Sequence, residues 1–87
     1  MQIWAKIYND EKIVNHTLYN VEGKFSIDNF ENYLTDICAF FDIPRPITLS
    51  KHTRHFNEFN ICIYTSADFV ESVDFEKLTL EAVSDDK

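Results

Sequence analysis

Residues 2–19, QIWAKIYNDEKIVNHTLY, decide the fold, because their register settles which side chains face a core. Gln2-Ile3-Trp4-Ala5-Lys6-Ile7-Tyr8 alternates in the manner of a half-buried strand, and residues 12–19 are rich in β-branched and aromatic types. Asn9-Asp10-Glu11 between them is turn chemistry. With Asp10 and Glu11 as a two-residue loop, Tyr8 opposes Ile13, Ile7 opposes Val14, Ala5 opposes His16 and Ile3 opposes Leu18. One face of the hairpin is then Ile3, Ala5, Ile7, Val14, His16 and Leu18, and the other is Trp4, Tyr8, Ile13, Thr17 and Tyr19. Both are apolar, whereas a single sheet usually has one dry and one wet face. Three explanations compete for the second face: residues 69–75 fold over it, it is a homodimer interface, or another protein docks there.

Working outward, residues 27–41 carry Ile27, Phe30, Leu34, Ile37, Cys38 and Phe41 at helical intervals, which predicts the main helix. Ser26 or Asp28 can cap it, and Asp28 with Glu31 has capping-box spacing. Pro44 and Pro46 end it. Ile47-Thr48-Leu49 reads as a short edge strand. Ser50 is the expected N-cap of a second, shorter helix over about 51–59, with His52, Phe56 and Phe59 on one face. Ile61-Cys62-Ile63-Tyr64 reads as a strand, Ser66 starts one helical turn, and residues 77–82 alternate as a last strand with Leu78, Leu80 and Ala82 inward. The expected architecture is α+β: a two-layer sandwich with an antiparallel or mixed sheet and the main helix packed across it. Residues 1–83 make a single domain, followed by a loose tail at 84–87.

The chain has 87 residues, 45% of them apolar and 15% aromatic, which excludes a disordered composition. Its formal charge of −7 repels phosphate backbones and anionic lipid and suits a basic protein partner. No apolar stretch approaches membrane-spanning length, and the first residues lack the pattern of a signal peptide, so a cytoplasmic protein is expected. Cys38 and Cys62 read as buried, reduced thiols.

A single glycine, Gly23, rules out phosphate-cradling loops and a nucleophile elbow. There is no Cys-x-x-Cys and no His-Glu-x-x-His. His52 and His55 have helical spacing for one metal ion, but a zinc site needs further ligands, and packing beside phenylalanines explains them as well. Neither metal nor cofactor is expected. Arg45, Ser50, Lys51 and Arg54 lie in an acid-free window, residues 43–57, and form a weak candidate anion site. The same charges, with Phe56 and Phe59 as stacking platforms, give a minor nucleic-acid reading that the net charge argues against. A nucleophilic-cysteine enzyme needs an exposed thiol beside a histidine, and neither cysteine has that setting in the pattern.

The block from Asp68 to Leu78, DFVESVDFEKL, with Leu49-Ser50-Lys51-His52 and the N-terminal hairpin, resembles a family of small uncharacterised bacterial proteins. The resemblance implies a bacterial cytoplasmic setting and brings no activity or site. The sequence therefore points to a small acidic protein-binding module that is not an enzyme. Its partner is another protein or itself, and Trp4, Tyr8, Ile13 and Tyr19 are the candidate contact residues. The alternative is an acidic inhibitor, a nucleic-acid mimic acting on a DNA- or RNA-binding protein.

Overall fold

The computed structural model describes residues 1–83, so the tail expected at 84–87 lies outside the described residues. Strand β1 (Gln2–Asn9) turns into β2 (Lys12–Asn20). A 3₁₀ turn, Ile27–Asn29, leads into helix α1 (Phe30–Phe41), and α2 (Ser50–Phe59) follows. Strand β3 (Ile61–Thr65), a 3₁₀ turn at Ser66–Asp68 and strand β4 (Lys77–Val83) complete the fold. The sheet is antiparallel throughout in the order β2-β1-β4-β3. It is the expected α+β two-layer arrangement.

The hairpin turn forms as the sequence predicts, with Asp10 and Glu11 both at positive φ, 53° and 63°. That geometry matches the twist of the flanking strands. Asp42 ends α1 and Asn60 ends α2 in the same left-handed region, at φ 59° and 64°. Short polar side chains tolerate this backbone best after glycine, of which the chain has one.

The register departs from expectation one step beyond the turn. Tyr8 does oppose Ile13, but Ile7 opposes Asn15, so a β-bulge leaves Val14 as the extra residue. Ala5 then pairs with Thr17 and Ile3 with Tyr19, in place of His16 and Leu18. One inserted residue exchanges the faces of everything after it. His16 and Leu18 move to the side of Trp4 and Tyr8, and Thr17 and Tyr19 move to the helix side.

The core lies between the helices and one sheet face. Ile3, Ala5, Ile7, Leu78, Leu80, Cys62 and Tyr64 meet Phe30, Tyr33, Leu34, Ile37, Cys38 and Phe56. Phe69 and Phe75 join this same cluster, edge-on to each other at 5.4 Å, so they do not fold over the second hairpin face. Residues 47–49 form no strand, although the Ile47 N–H donates to the Asp68 carbonyl at 2.8 Å. The N-cap position of α1 falls to Asn29, without a side-chain cap hydrogen bond, and not to Ser26 or Asp28: Asp28 lies inside the preceding 3₁₀ turn, and the Ser26 N–H donates to Tyr33 Oη. The cap of α2 is Leu49 rather than Ser50: the Leu49 N–H donates to His52 Nδ1 at 2.9 Å. Phe59, expected inward, is 62% exposed beside His55.

Candidate functional site

The helices occupy one side of the sheet and leave the other without a covering layer among the described residues. Cross-strand partners share a face. Trp4, Lys6 and Tyr8 of β1 therefore stand with Ile13, His16 and Leu18 of β2, Lys77, Thr79 and Glu81 of β4, and Ile63 of β3. Leu18 is 54% exposed, Ile13 44% and Ile63 43%, so this is a large apolar surface in water.

At its centre is a built polar cluster. Lys6 is buried although no helix among the described residues lies over it, because its neighbours' long side chains fold across it. Its Nζ sits 3.0 Å from Glu81 Oε1 and 4.0 Å from the centroid of the Trp4 ring. The indole Nε1–H points at His16 Nδ1 at 3.4 Å, with the two rings edge to face. One strand-pair further on, Lys77 lies over the Tyr8 ring at 4.8 Å. Cation–π contacts thus hold both aromatic rings against the sheet. Thr79 Oγ1, between Lys6 and Ile63, is buried and has no hydrogen-bond partner among the described residues. Sequence reasoning named Trp4, Tyr8 and Ile13 but missed Lys6, His16 and Glu81. Lys6 could have been read from its place between Trp4 and Tyr8 in an alternating strand.

Tyr19 does not join this surface. Its hydroxyl donates to Asp36 Oδ2 of α1 at 2.6 Å, and its ring leans on Tyr33. That hydrogen bond, with burial and the Asp36 charge, pushes the phenol up to about 12.

The basic residues 45–54 face different surroundings: Arg45 turns to α1, whereas Lys51 lies beside β3. Arg45 donates to Thr35 Oγ1 at 2.9 Å and lies 3.7 Å from Glu31, both on α1. Lys51 lines a groove between α2 and β3 with His52, His55, Cys62, Ile63, Thr65, Ala67 and Asp68. In that groove His52 is stacked on Tyr64 at 4.4 Å, accepts the Leu49 N–H on Nδ1 and turns Nε2 toward Asp68 at 3.6 Å. His55 Nδ1 contacts the Ile61 carbonyl at 2.7 Å. Both imidazoles are thus used in holding α2 and β3 in place. Among the described residues no group of three or more His, Cys, Asp or Glu is placed to hold a metal ion. Cys38 and Cys62 are free and buried, and burial pushes each thiol up to about 11. No helix among the described residues is long and apolar enough to cross a membrane.

The acids gather at one end of the sheet. Glu11 N–H points at Glu76 Oε1, Asn9 Nδ2 at the Asp74 carbonyl, and Asp42 lines a shallow groove with Asp74. Asp10, Glu11, Asp42, Asp74 and Glu76 are all exposed there. No family model matches this chain, and neither a curated protein nor a solved structure is significantly similar to it.

Proposed function

We propose that this acidic chain is a cytosolic protein-binding module that works without catalysis. It binds through the uncovered sheet face, in the bacterial setting that its resemblance implies. The observation that carries the reading is the apolar surface around Trp4, Tyr8, Ile13, Leu18 and Ile63 with the Lys6–Glu81 pair already seated in it. Tryptophan and tyrosine fixed against a sheet lose little freedom on binding, which is what makes them effective anchors. The partner's chemistry follows from the acids at the hairpin end: an apolar ridge, flanked by basic residues where it meets Asp10, Glu11, Asp74 and Glu76.

Four strands at ~4.8 Å spacing and about eight residues at ~3.4 Å give a footprint of roughly 500 Å². That falls below the ~800 Å² per partner of a standard interface, so the complex is reversible. A second reading, an acidic inhibitor of a nucleic-acid-binding protein, draws on the same gathered carboxylates. In that case they, and not the apolar face, carry the affinity.

Affinity capture from nuclease-treated native lysate separates the two. On the face reading, Ile63→Lys abolishes capture of a defined protein while Asp74→Lys weakens it several-fold, both variants remaining folded. The chain has one tryptophan, so the fluorescence of Trp4 shifts when that protein is added. Capture indifferent to Ile63→Lys, or lost with nuclease, overturns the face reading. Capture abolished by Asp74→Lys and Glu76→Lys alone favours the inhibitor.

A further inference from the structure

The two edges of the sheet are treated differently. On β3, Ala82 N–H donates to the Asn60 carbonyl and Ser66 N–H to the Glu76 carbonyl. This fixes the alternation, so Ile61, Ile63 and Thr65 turn their backbone groups outward. Side chains seal that edge at both ends: His55 sits on the Ile61 carbonyl at 2.7 Å, and Asp68 takes the Thr65 N–H at 2.9 Å. On β2, the Val21 N–H donates to the Met1 carbonyl at 3.0 Å, which leaves His16, Leu18 and Asn20 turned outward. There only the His16 N–H is covered, by Asn15 Oδ1 at 2.9 Å, an exposed contact with its own neighbour. Among the described residues nothing caps Leu18 or Asn20.

Unpaired edges recruit other strands unless charges, prolines or covering groups prevent it. β2 has a bulge near its start, but residues 13–21 contain no Asp, Glu, Lys, Arg or Pro. In a chain of net charge −7, this is a stretch where two copies can meet without opposing like charges. A strongly basic or acidic segment would gain nothing from it.

We infer that β2 pairs antiparallel with β2 of a second copy of this chain, making one continuous sheet across a twofold axis at Leu18. About that axis Leu18 of each copy donates to and accepts from Leu18 of the other. Asn20 N–H donates to the His16 carbonyl of the second copy, and Asn15 releases the His16 N–H to complete the pair. On the open face Leu18, already opposite Trp4, gains Leu18 of the second copy as its other neighbour. The exposed leucine becomes the middle of an apolar stripe running from one tryptophan to the other. On the helix side Thr17 meets Tyr19 of the second copy, a favourable cross-strand pair. A strand-to-strand contact buries less than the ~800 Å² of a standard partner surface, so the dimer forms and dissociates with concentration.

The inference does not depend on the protein-binding reading, and its test keeps the two apart. The mass of the parent chain, measured by sedimentation equilibrium across a wide concentration range, is expected to rise from one chain to two. Leu18→Pro removes an outward N–H and no hydrogen bond to β1, so it is expected to stay at one chain at every concentration. Ile63→Lys, on the open face far from this edge, is expected to dimerise like the parent. If the proline variant fails to fold, Leu18→Cys answers the question. Hydrogen-bonded antiparallel partners lie ~5.5 Å apart at Cα, within disulfide range, and the native thiols are buried. Mild oxidation is expected to link Leu18→Cys into covalent dimers and to leave Ile63→Cys unlinked. A parent that stays at one chain at every concentration overturns the inference. So does a dimer that Leu18→Pro leaves intact and Ile63→Lys abolishes, or a Leu18→Cys chain that links no faster than Ile63→Cys.

Discussion

The two faces of this sheet are made from alternate residues of the same four strands, yet they solve different problems. The covered face is continuous hydrocarbon: Ile3, Ala5, Ile7, Leu78 and Leu80 are almost wholly shielded by α1, α2 and the loop carrying Phe69 and Phe75. The open face has no layer above it among the described residues and shields its middle with its own side chains, Lys6 lying between Trp4, Glu81 and Thr79. The first is held by packing that any loss of volume disturbs. The second is held by a desolvated charge whose cost depends on which partner is removed. A face of the first kind stabilises the fold, whereas one of the second kind keeps a surface ordered while leaving it available.

The comparison is tested most severely by truncation of the covered face. Leu80→Ala removes a fully buried side chain from the middle of the sheet and is expected to cost about 2–5 kcal/mol. Urea unfolding measures it; a loss under ~1 kcal/mol would show that the helices do not press on this face.

Alkali tests the same face without a substitution. Burial raises the Cys38 and Cys62 thiols from 9.0 to about 11 and raises the Tyr64 hydroxyl as well. For Cys38, Arg45 works weakly in the opposite direction. Groups whose folded pKa lies above the unfolded value hold protons that the unfolded chain has already lost. The stability that each thiol contributes is thus fully present below pH 9 and is lost as pH rises from 9 through 11, about 2–3 kcal/mol per thiol. The urea midpoint is expected to drop between pH 8 and pH 10.5, and to drop less in Cys38→Ala with Cys62→Ala. An unchanged slope in that double variant refutes the assignment to the thiols.

How much of this contrast is legible in the sequence depends on the element. The 27–41 stripe and Leu78 and Leu80 of the last strand are visible because one face of each is apolar and the other polar, and the hairpin turn is visible because Asn9-Asp10-Glu11 is turn chemistry. The bulge is not visible: β2 carries Ile13 and Leu18 on one side and Val14 and Tyr19 nearby, so shifting it by one residue exposes about as much hydrocarbon either way. That is why Tyr19 reads as a neighbour of Trp4 and is found hydrogen-bonded to Asp36 behind the sheet. The cap at His52 escapes for another reason: the serine beside it is the commoner capping residue, and only tertiary stacking on Tyr64 turns the imidazole to the Leu49 N–H. The candidate surface is legible as a surplus of apolar residues on both sides of the hairpin. Its polar centre is not, since the Lys6–Glu81 pair joins strands 75 residues apart in sequence.

That pair gives the last and smallest effects, and their asymmetry is the sharper test of the open face. The side chain of Lys6 is 8% exposed and that of Glu81 42%. Among the described residues, Glu81→Ala leaves an enclosed ammonium with the Trp4 ring alone to answer it, and is expected to cost about 1–3 kcal/mol. Lys6→Met keeps the stem over Trp4 and removes the enclosed charge, while Glu81 turns to water; the expected cost is under ~1 kcal/mol. Equilibrium unfolding of the two variants side by side decides the order. If Lys6→Met is the worse of the two, the lysine's charge holds this face together through the ion pair and the tryptophan, and the surface is more rigid than its exposure implies. If Glu81→Ala is the worse, the face tolerates an apolar centre, and the lysine's charge is retained for what binds there rather than for the fold.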